Sequence, residues 1–325
     1  MNILVTGGAG YIGSHVCKKL AQNGYNPIVI DNLTRGNKWA VKWGPLEIGD
    51  ILDSDFIERV MKKYAPVSVM HFAALAYVGE SVNYPNLYYN TNVTGTLNLL
   101  DAMIKFNISK IIFSSSCATF GIPKRIPIQE NDEQNPINPY GFSKLIIEKL
   151  LEDYFKAHKI SSVSLRYFNA IGADKDAEIG EVHNPETHLV PSAFNVAIGR
   201  MKSIDIYGND YDTDDGYCIR DYIHVDDLAA AHILSLEYLD KGNTGSYKFN
   251  LGTGRGFSVM EVIKTIKKIT NKKINFNIVS RRDGDPPELV AAVKGAHDFL
   301  KWRPQITDLS VQINDAWAWH KKYFG

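Results

Sequence analysis

The first thirteen residues constrain the fold more than any other stretch of the chain. Residues 2–5 form a short apolar run that predicts a buried strand, and residues 11–20 carry apolar side chains at helical spacing. Between them, Gly8, Gly10 and Gly13 match the pattern G-x-G-x-x-G. Glycine permits the sharp turn and lets an anion approach the backbone N–H groups at the helix start. A strand, a glycine-rich turn and a helix in this order predict a dinucleotide-binding unit.

An acidic residue stands where such a unit needs one. Residues 27–31 form a second predicted strand that ends on Asp31, about 20 residues after Gly13, the spacing that this fold uses. A carboxylate there accepts hydrogen bonds from the adenosine ribose and repels a 2′-phosphate, so it favours NAD over NADP. Arg35 lies nearby and weakens that preference. The alternative interpretation of Asp31 is a turn residue at a strand end.

Further residues follow the later predicted strands at the same edge. Asp50 follows the third strand and is expected beside the adenine, and Ala73 follows the fourth, where a small residue lets a ligand approach the backbone. Asn92 lies on the next predicted helix and is expected near the cofactor, although an exposed helix residue is an equally good interpretation. Ser116, after the fifth strand, is a candidate substrate contact.

Predicted strands and helices alternate as far as residue 168. The later strands are predicted over 45–52, 67–72, 109–114 and 162–167, and the later helices over 53–64, 86–106 and 138–155. This alternation predicts an α/β fold with a doubly wound parallel sheet of the Rossmann type over 1–168. The alternation is irregular afterwards, so 169–325 is expected to form a smaller mixed α/β substrate-binding domain, with about 219–240 returning to the first domain.

Composition argues against several classes of function. The chain has 36 Lys+Arg and 36 Asp+Glu, so its net charge is zero and no broad basic face is expected for nucleic acid or a membrane. Three distant cysteines fit a reducing cytoplasm better than a disulfide framework. The first strand leaves no room for a signal segment. The nine histidines are scattered, without paired cysteines or H-E-x-x-H, so no metal is expected.

A helix start near the middle of the chain carries the residues suited to catalysis. Asn138 and Pro139 are typical of an N-cap and a first helical position. Tyr140 and Lys144 are then neighbours on one face of the helix. A free tyrosine has a pKa of about 10, but an ammonium group and an oxidised nicotinamide beside it favour its anion. We therefore expect Tyr140 to act as a general base.

Taken together, the motifs resemble those of the extended short-chain dehydrogenase/reductase family. In the first half of the chain they are residues 6–13, 31–32 and 114–116 and the Tyr140/Lys144 pair. In the second half the matching segments are 165–169, 206–211, 219–225, 249–252 and 281–286. This second set is similar to the branch of the family whose members epimerise nucleotide sugars at C4. The resemblance covers nearly the whole chain, with the motifs in order.

The resemblance implies NAD-dependent interconversion of UDP-glucose and UDP-galactose through a transient 4-keto sugar, with the N-acetylated UDP-sugars as further candidates. The NAD contacts that it implies, together with the residues above, are Gly7, Gly10, Tyr11, Ile12, Gly13, Asp31, Asn32, Asp50, Ile51, Phe72, Ala73, Asn92, Ser114, Tyr140, Lys144 and Phe168. The substrate contacts are Ser116, Tyr140, Asn169, Leu189, Tyr207, Arg220, Tyr222, Arg282, Asp285 and Leu289. The family expectation for assembly is a homodimer through helices 86–106 and 140–158.

Two arginines are the best candidates for the diphosphate. The planar guanidinium group matches phosphate geometry, which favours Arg220 and Arg282. For Arg220, a surface ion pair with Asp221 is the alternative interpretation. In this family a bulky residue at the position of Leu289 tends to exclude N-acetylated sugars. Leu289 is of medium size, so these sugars are expected to be accepted as well.

Two rival functions stay open at this point. A nucleotide-sugar dehydratase on the same scaffold needs an added acid/base pair, for which relatives carry Asp-Glu after the serines. This chain has Cys117 and Ala118 there, which argues against dehydration. A non-catalytic dinucleotide-binding regulator is the second rival, but it has no need of Tyr140, Lys144 and Ser116.

Overall fold

The computed structural model describes residues 1–282 and 285–325, so Asp283 and Gly284 of the motif 281–286 lie outside the described residues. The strands are β1 (Asn2–Thr6), β2 (Asn26–Asp31), β3 (Leu46–Ile48), β4 (Ser68–His71), β5 (Lys110–Ser116), β6 (Ser161–Tyr167), β7 (Asn169–Ile171), β8 (Ile204–Tyr207), β9 (Ile219–His224), β10 (Ser246–Leu251), β11 (Gly256–Ser258), β12 (Phe276–Val279) and β13 (Glu288–Leu289). The helices are α1 (Tyr11–Gln22), α2 (Ser54–Tyr64), α3 (Val78–Asn83), α4 (Pro85–Tyr88), α5 (Gly95–Lys105), α6 (Pro139–His158), α7 (Leu189–Ala197), α8 (Val225–Asp240), α9 (Val259–Thr270), α10 (Lys294–Leu300) and α11 (Leu309–Phe324).

Seven of these strands form one parallel sheet in the order β10-β6-β5-β4-β1-β2-β3. The order reverses between β1 and β4, so the loops after these strands diverge and open a crevice at their carboxyl ends. One apolar cluster packs α1 and α8 on one face of the sheet. A second packs α2, α5 and α6 on the other face. The predicted doubly wound parallel sheet is confirmed.

The edge strand of this sheet comes from the second half of the chain. β10 pairs in parallel with β6, from Ser246 opposite Ser162 to Leu251 opposite Tyr167. The helix before it, α8, packs against α1 on the same face of the sheet. The return to the sheet therefore reaches residue 251, beyond the expected 219–240. The division of the chain into domains at residue 168 stays a prediction.

The helix predicted over 86–106 is continuous but not regular. α4 and α5 are joined by a π-helical turn at Tyr89–Thr94. Asn92 lies in this turn with its side chain fully buried, and its amide accepts a hydrogen bond from Leu75 N (2.8 Å) and donates to Ser143 Oγ (3.0 Å). The interpretation of Asn92 as an exposed helix residue is therefore wrong. π-turns of this kind occur frequently at functional sites.

The smaller part of the chain lies beyond the carboxyl edge of the sheet. β9 is its central strand and pairs with β7, β11 and β13, while β8 pairs with β12. A third apolar cluster packs α7, α9 and α11 against these strands. β7 follows directly after the carboxyl end of β6, and Gly172 after it accepts a hydrogen bond from Tyr11 at the start of α1, so this part lies next to the turn after β1. Over the described residues, none of the helices has the length and apolar character needed to cross a membrane.

Candidate active site

The glycine-rich turn after β1 is too crowded for a side chain at Gly7 and Gly13. Gly7 has φ +72°, and a Cβ on it would lie 2.6 Å from Ala73 N. A Cβ on Gly13 would lie 2.3 Å from Gly7 O, because α1 crosses directly over the turn. Gly10 is the N-cap of α1 and lines the adjacent cleft, and no side chain caps the N–H groups of that helix start. The turn is therefore shaped to hold an anionic group close to the backbone.

Replacing Gly13 with alanine is expected to lower the free energy of unfolding by about 1–3 kcal/mol, because the new methyl group must displace the Gly7 carbonyl. The same displacement should remove the bound dinucleotide. Urea unfolding and the nucleotide content of the purified protein measure the two effects. Gly79→Ala is the matched control, since a Cβ on Gly79 in α3 meets open space. Equal stability and nucleotide content in Gly13→Ala and wild type would contradict this role of the turn.

A cleft of about 850 Å³, counted with its open mouth, lies beside this turn. The predicted cofactor residues that line it are Gly7, Gly10, Asp31, Asn32, Asp50, Ile51, Phe72 and Ala73. Asp31 is nearly buried, and its carboxylate accepts hydrogen bonds from Ala9 N (3.0 Å) and Leu33 N (2.9 Å). Burial raises the pKa of Asp31, and these two N–H groups oppose that rise. The cleft thus offers a buried carboxylate and the backbone of the glycine turn, which fits an adenosine and a diphosphate.

The other predicted cofactor residues do not line this cleft, as far as the structure describes its walls. They are Tyr11, Ile12, Gly13, Asn92, Ser114, Tyr140, Lys144 and Phe168. The Tyr11 hydroxyl donates to Gly172 O (2.7 Å), and its ring packs against that of His183. Ser114 and the two residues of α6 lie further along the crevice, at the end of β5. Contact of these residues with a cofactor stays a prediction.

The N-terminus of α6 places the catalytic candidates beside β5. Asn138 Oδ1 accepts a hydrogen bond from Gly141 N (2.8 Å), so the helix begins at Pro139 as predicted. Lys144 is buried, and its Nζ donates to Ser114 O (2.7 Å) and lies 5.9 Å from the centre of the Tyr140 ring. This arrangement brings the tyrosine, the lysine and the end of β5 into one pocket.

Burial shifts both titratable groups of this pair away from their charged forms. It lowers the pKa of Lys144 to about 7, although Glu148 partly opposes the shift. It raises the pKa of Tyr140 to about 12, although a hydrogen bond with Ser116 lowers it. The protein alone therefore keeps Tyr140 protonated at neutral pH. A cationic ligand in the crevice, such as an oxidised nicotinamide, is needed to favour the tyrosinate.

Tyr167 is a neighbour of Tyr140 that sequence reasoning missed. Its hydroxyl lies 2.6 Å from His232 Nε2, and the other ring nitrogen of His232 lies 2.8 Å from Leu228 O. Burial raises the pKa of Tyr167, and a hydrogen bond with the Ser114 side chain partly opposes this rise. The Tyr167 hydroxyl therefore lies beside the end of β5, as Tyr140 does. His232 comes from α8, more than sixty residues away. No short motif joins these residues, so only the packing of α8 on the sheet could have revealed them.

The arginines have different surroundings on the opposite side of the crevice. Arg220 is buried on β9 and forms an ion pair with Asp285, another predicted substrate residue. Asp221 accepts hydrogen bonds from Thr253 N (2.7 Å) and Gly254 N (3.0 Å), so the proposed surface pair of Arg220 with Asp221 is wrong. The guanidinium carbon of Arg282 lies 3.8 Å from the centre of the Tyr207 ring, on an exposed surface.

The remaining substrate candidates come from four different elements. Asn169 lies on β7 opposite Tyr222 of β9, and Leu189 is the first residue of α7. Tyr222 is buried in the apolar cluster of the smaller part of the chain. Leu289, on β13, lies opposite Arg220 and packs in a cluster with Cys117. Of the predicted substrate residues in the second half of the chain, Arg220 and Leu289 lie near Cys117, which neighbours Tyr140, and the contacts of all of them with substrate stay predictions.

Comparisons with known proteins agree with this arrangement. The sequence pattern of the NAD dependent epimerase/dehydratase family matches residues 3–252. The UDP-glucose 4-epimerase of Rhizobium leguminosarum bv. trifolii is 49% identical over 320 residues, which are 98% of this chain and 97% of the relative. The structure of UDP-glucose 4-epimerase from Brucella ovis in complex with NAD is similar, with a TM-score of 0.95, 51% identity and 98% coverage of both chains. The UDP-Glc/GlcNAc 4-epimerase of Campylobacter jejuni has a TM-score of 0.85 and 37% identity, with 99% of each chain covered.

Proposed function

The chain belongs to the NAD-dependent epimerase/dehydratase family, and we propose that it interconverts UDP-glucose and UDP-galactose with NAD as its cofactor. The single observation that supports this reaction best is the shared crevice. The dinucleotide cleft and the Tyr140/Lys144 pair lie along the carboxyl edge of the parallel sheet, and the buried Arg220 of the second sheet lies near Cys117, which follows β5. A redox cofactor, a proton acceptor and a nucleotide-sugar site would therefore be adjacent.

The chain's own residues divide the work of the reaction. Tyr140 takes the proton from the 4-hydroxyl of the sugar, and Ser116 hydrogen-bonds the same oxygen. Lys144 holds the nicotinamide ribose and, in its protonated form, adds to the positive charge of the oxidised nicotinamide that favours the anion of Tyr140. The chemistry that bound NAD would supply is reversible hydride acceptance at C4 of the sugar, with no net change of the cofactor.

Epimerisation requires the hydride to return to the opposite face of C4. The nucleotide must therefore be held firmly while the 4-keto sugar rotates about its link to the diphosphate. Arg220 suits the firm part, because its buried guanidinium is already fixed by Asp285 and by donation to Ile219 O (2.7 Å). Residues in contact with the rotating sugar must be fewer and less polar, which fits the apolar cluster of Leu289 and Phe168 beside Cys117.

The test is incubation of the purified chain with UDP-galactose without added NAD, followed by separation of the products. UDP-glucose is the expected product, since the cofactor stays bound through both hydride transfers. A 4-keto-6-deoxy product would identify a dehydratase instead. Bound NAD without turnover of any UDP-sugar would favour the regulator. Either result would overturn the proposal.

The medium size of Leu289 leads to a prediction about substrate range. The wild-type chain is expected to epimerise UDP-N-acetylgalactosamine as well as UDP-galactose. Leu289→Tyr should lower the rate with UDP-N-acetylgalactosamine, relative to the rate with UDP-galactose, by about tenfold or more. The reason is that the larger ring fills the space of the acetamido group. Rates measured with each sugar check this. Leu289→Ile, which keeps the volume, is the control. The prediction fails if wild type gives no product from UDP-N-acetylgalactosamine.

We also propose that two copies of the chain associate through the helices around 86–106 and 140–158, in the cytoplasm. Large apolar side chains are exposed on this surface at Leu87, Ile104 and Phe142. Burying them against a second copy would remove apolar area from water. Light scattering on the wild type and on Phe142→Glu tests the assembly, since a charge at this position should shift the equilibrium toward the monomer.

A further inference from the structure

A loop from the smaller part of the chain lies along the dinucleotide cleft. We call residues 174–188 the strap. Four side chains of the first 42 residues donate hydrogen bonds to it. Lys18 donates to the carboxylates of Asp174 (2.7 Å) and Glu178 (2.6 Å). Backbone oxygens of the strap accept the others, from Arg35 to Asn184 O (3.0 Å), from Asn37 to Val182 O (3.1 Å) and from Lys42 to Glu178 O (2.8 Å). His183 of the strap lines the cleft itself. The strap is thus anchored beside the cofactor cleft along its whole length.

Four possible metal ligands converge within the strap. They are Glu181, His183, Glu186 and His188, and one ligand atom from each lies within 4.8 Å of all the others. His183 Nδ1 is 3.1 Å from Glu181 Oε1 and 3.8 Å from Glu186 Oε2. His188 Nδ1 is 2.6 Å from Glu181 Oε1 and 3.5 Å from Glu186 Oε1. Both imidazoles therefore turn the same ring nitrogen toward the same two carboxylates.

We propose that these four residues bind one divalent transition-metal ion, for which Zn²⁺ is the best match. Imidazole and carboxylate are both Zn²⁺ ligands, and four protein ligands are typical of a structural site. A tetrahedral ion with bonds of about 2.0–2.2 Å holds its ligand atoms about 3.3–3.6 Å apart. The distances between the imidazole nitrogens and the carboxylate oxygens run from 2.6 to 3.8 Å, on both sides of this value. Small rotations of the side chains would therefore complete the site.

Charge and burial support a cation at this place. With neutral imidazoles the cluster carries two negative charges, which one divalent ion neutralises. The side chains of Glu181 and Glu186 are only 12% and 11% exposed, and against the effect of burial they raise the pKa of His188 to about 10, so a metal ion binds here by displacing the proton of His188. Arg35, the nearest guanidinium in the contacts of the strap, is already paired with Glu80. His183 Nδ1 is buried without a well-directed hydrogen bond, which leaves its lone pair free for an ion.

Further contacts hold the ligands Glu186 and His183 in place. Glu186 Oε1 accepts hydrogen bonds from Thr187 N and His188 N, both at 2.9 Å, and its Oε2 is the atom that faces His183. The His183 ring packs edge-on against the rings of Tyr11 and Tyr77. Such outer contacts fix ligand orientation in metal sites.

The position of the site gives the ion a structural role. His183 lines the cofactor cleft, whereas His188 directly precedes α7, whose first residue Leu189 is a predicted substrate contact. An ion bound to both histidines would fix the strap between the two ligand sites. This inference goes beyond the proposed reaction and does not depend on it.

The experiment is calorimetric titration of the chelator-treated full-length chain with ZnCl₂, with CoCl₂ as a spectroscopic probe. One equivalent should bind, and Co²⁺ should give the visible absorption of a four-coordinate site. His188→Ala and the volume-conserving Glu181→Gln should each weaken Zn²⁺ binding by more than about 100-fold. Loss of a residue that only hydrogen-bonds a metal ligand costs about 10–100-fold, so a larger loss identifies a direct ligand. Zn²⁺ should also raise the unfolding temperature of wild type but not of the variants.

His297→Ala is the matched control, because His297 is an exposed histidine 3.0 Å from the Asp298 carboxylate. It should bind Zn²⁺ as wild type does. The proposal is overturned if wild type shows no saturable binding, or if both strap variants bind Zn²⁺ as tightly as wild type. The cluster would then consist only of histidine–glutamate pairs.

Discussion

Tyr140→Phe is expected to lower the turnover of UDP-galactose by about 10²–10⁴-fold while NAD stays bound. The substitution removes only the phenolic oxygen that accepts the proton as tyrosinate, and the ring keeps its place beside Lys144 and Ser116. The steady-state rate and the NAD released on denaturation measure the two effects. Tyr154→Phe is the control on the same helix, since the Tyr154 hydroxyl contacts the exposed Asp101 instead. Near-normal turnover in Tyr140→Phe would remove Tyr140 from the reaction.

Arg166→Met is expected to lower the free energy of unfolding by about 3–5 kcal/mol, because it leaves the charge of Glu148 buried and unpaired. The two side chains are 1% and 0% exposed and form two hydrogen bonds, of 2.9 and 2.7 Å. Burial opposes ionisation of Glu148, but Arg166 overcomes this and holds its pKa below the usual value. The pair joins β6 to α6, the helix that carries Tyr140, so urea unfolding and turnover should both be affected.

The control for this substitution is Lys156→Met on the same helix. Lys156 pairs with Asp153, but both side chains are 71% exposed, so the loss should stay below about 0.5 kcal/mol. A similar small loss in Arg166→Met would mean that Glu148 takes up a proton on losing its partner. In that case the loss of unfolding free energy in Arg166→Met should grow as the pH rises. The reason is that the folded variant must keep Glu148 protonated, whereas the unfolded chain ionises it.

Local chemistry in the sequence was enough to predict the nucleotide-binding half of the chain. The crowded turn at Gly7 and Gly13 admits only glycine, so its pattern is visible without a structure. Asp31 ends a strand at a fixed spacing from that turn. Asn138 caps α6 by accepting a hydrogen bond from the backbone of Gly141, three residues later. These features arise within short segments, where residue type and spacing determine the backbone. Their agreement with the parallel sheet follows from that locality.

The tertiary structure decided the features that join distant segments. The partner of Arg220 is Asp285 rather than the adjacent Asp221, because β9 and the segment before β13 meet only in the fold. Tyr167 meets His232 for the same reason, through α8 on the face of the sheet.

The strap shows the difference within one short segment. The spacing E-x-H-x-x-E-x-H at 181–188 was present in the sequence, but it matches none of the metal-site patterns sought there. The spacing of residues in the sequence does not determine the direction of side chains on irregular backbone. Only the folded loop, fixed by Lys18, Arg35, Asn37 and Lys42, directs all four ligand atoms to one point. The sequence by itself therefore determined the sheet and the glycine turn, where the backbone is regular or sterically forced. The tertiary structure decided the ion pairs and the ligand cluster, since these depend on how irregular segments pack.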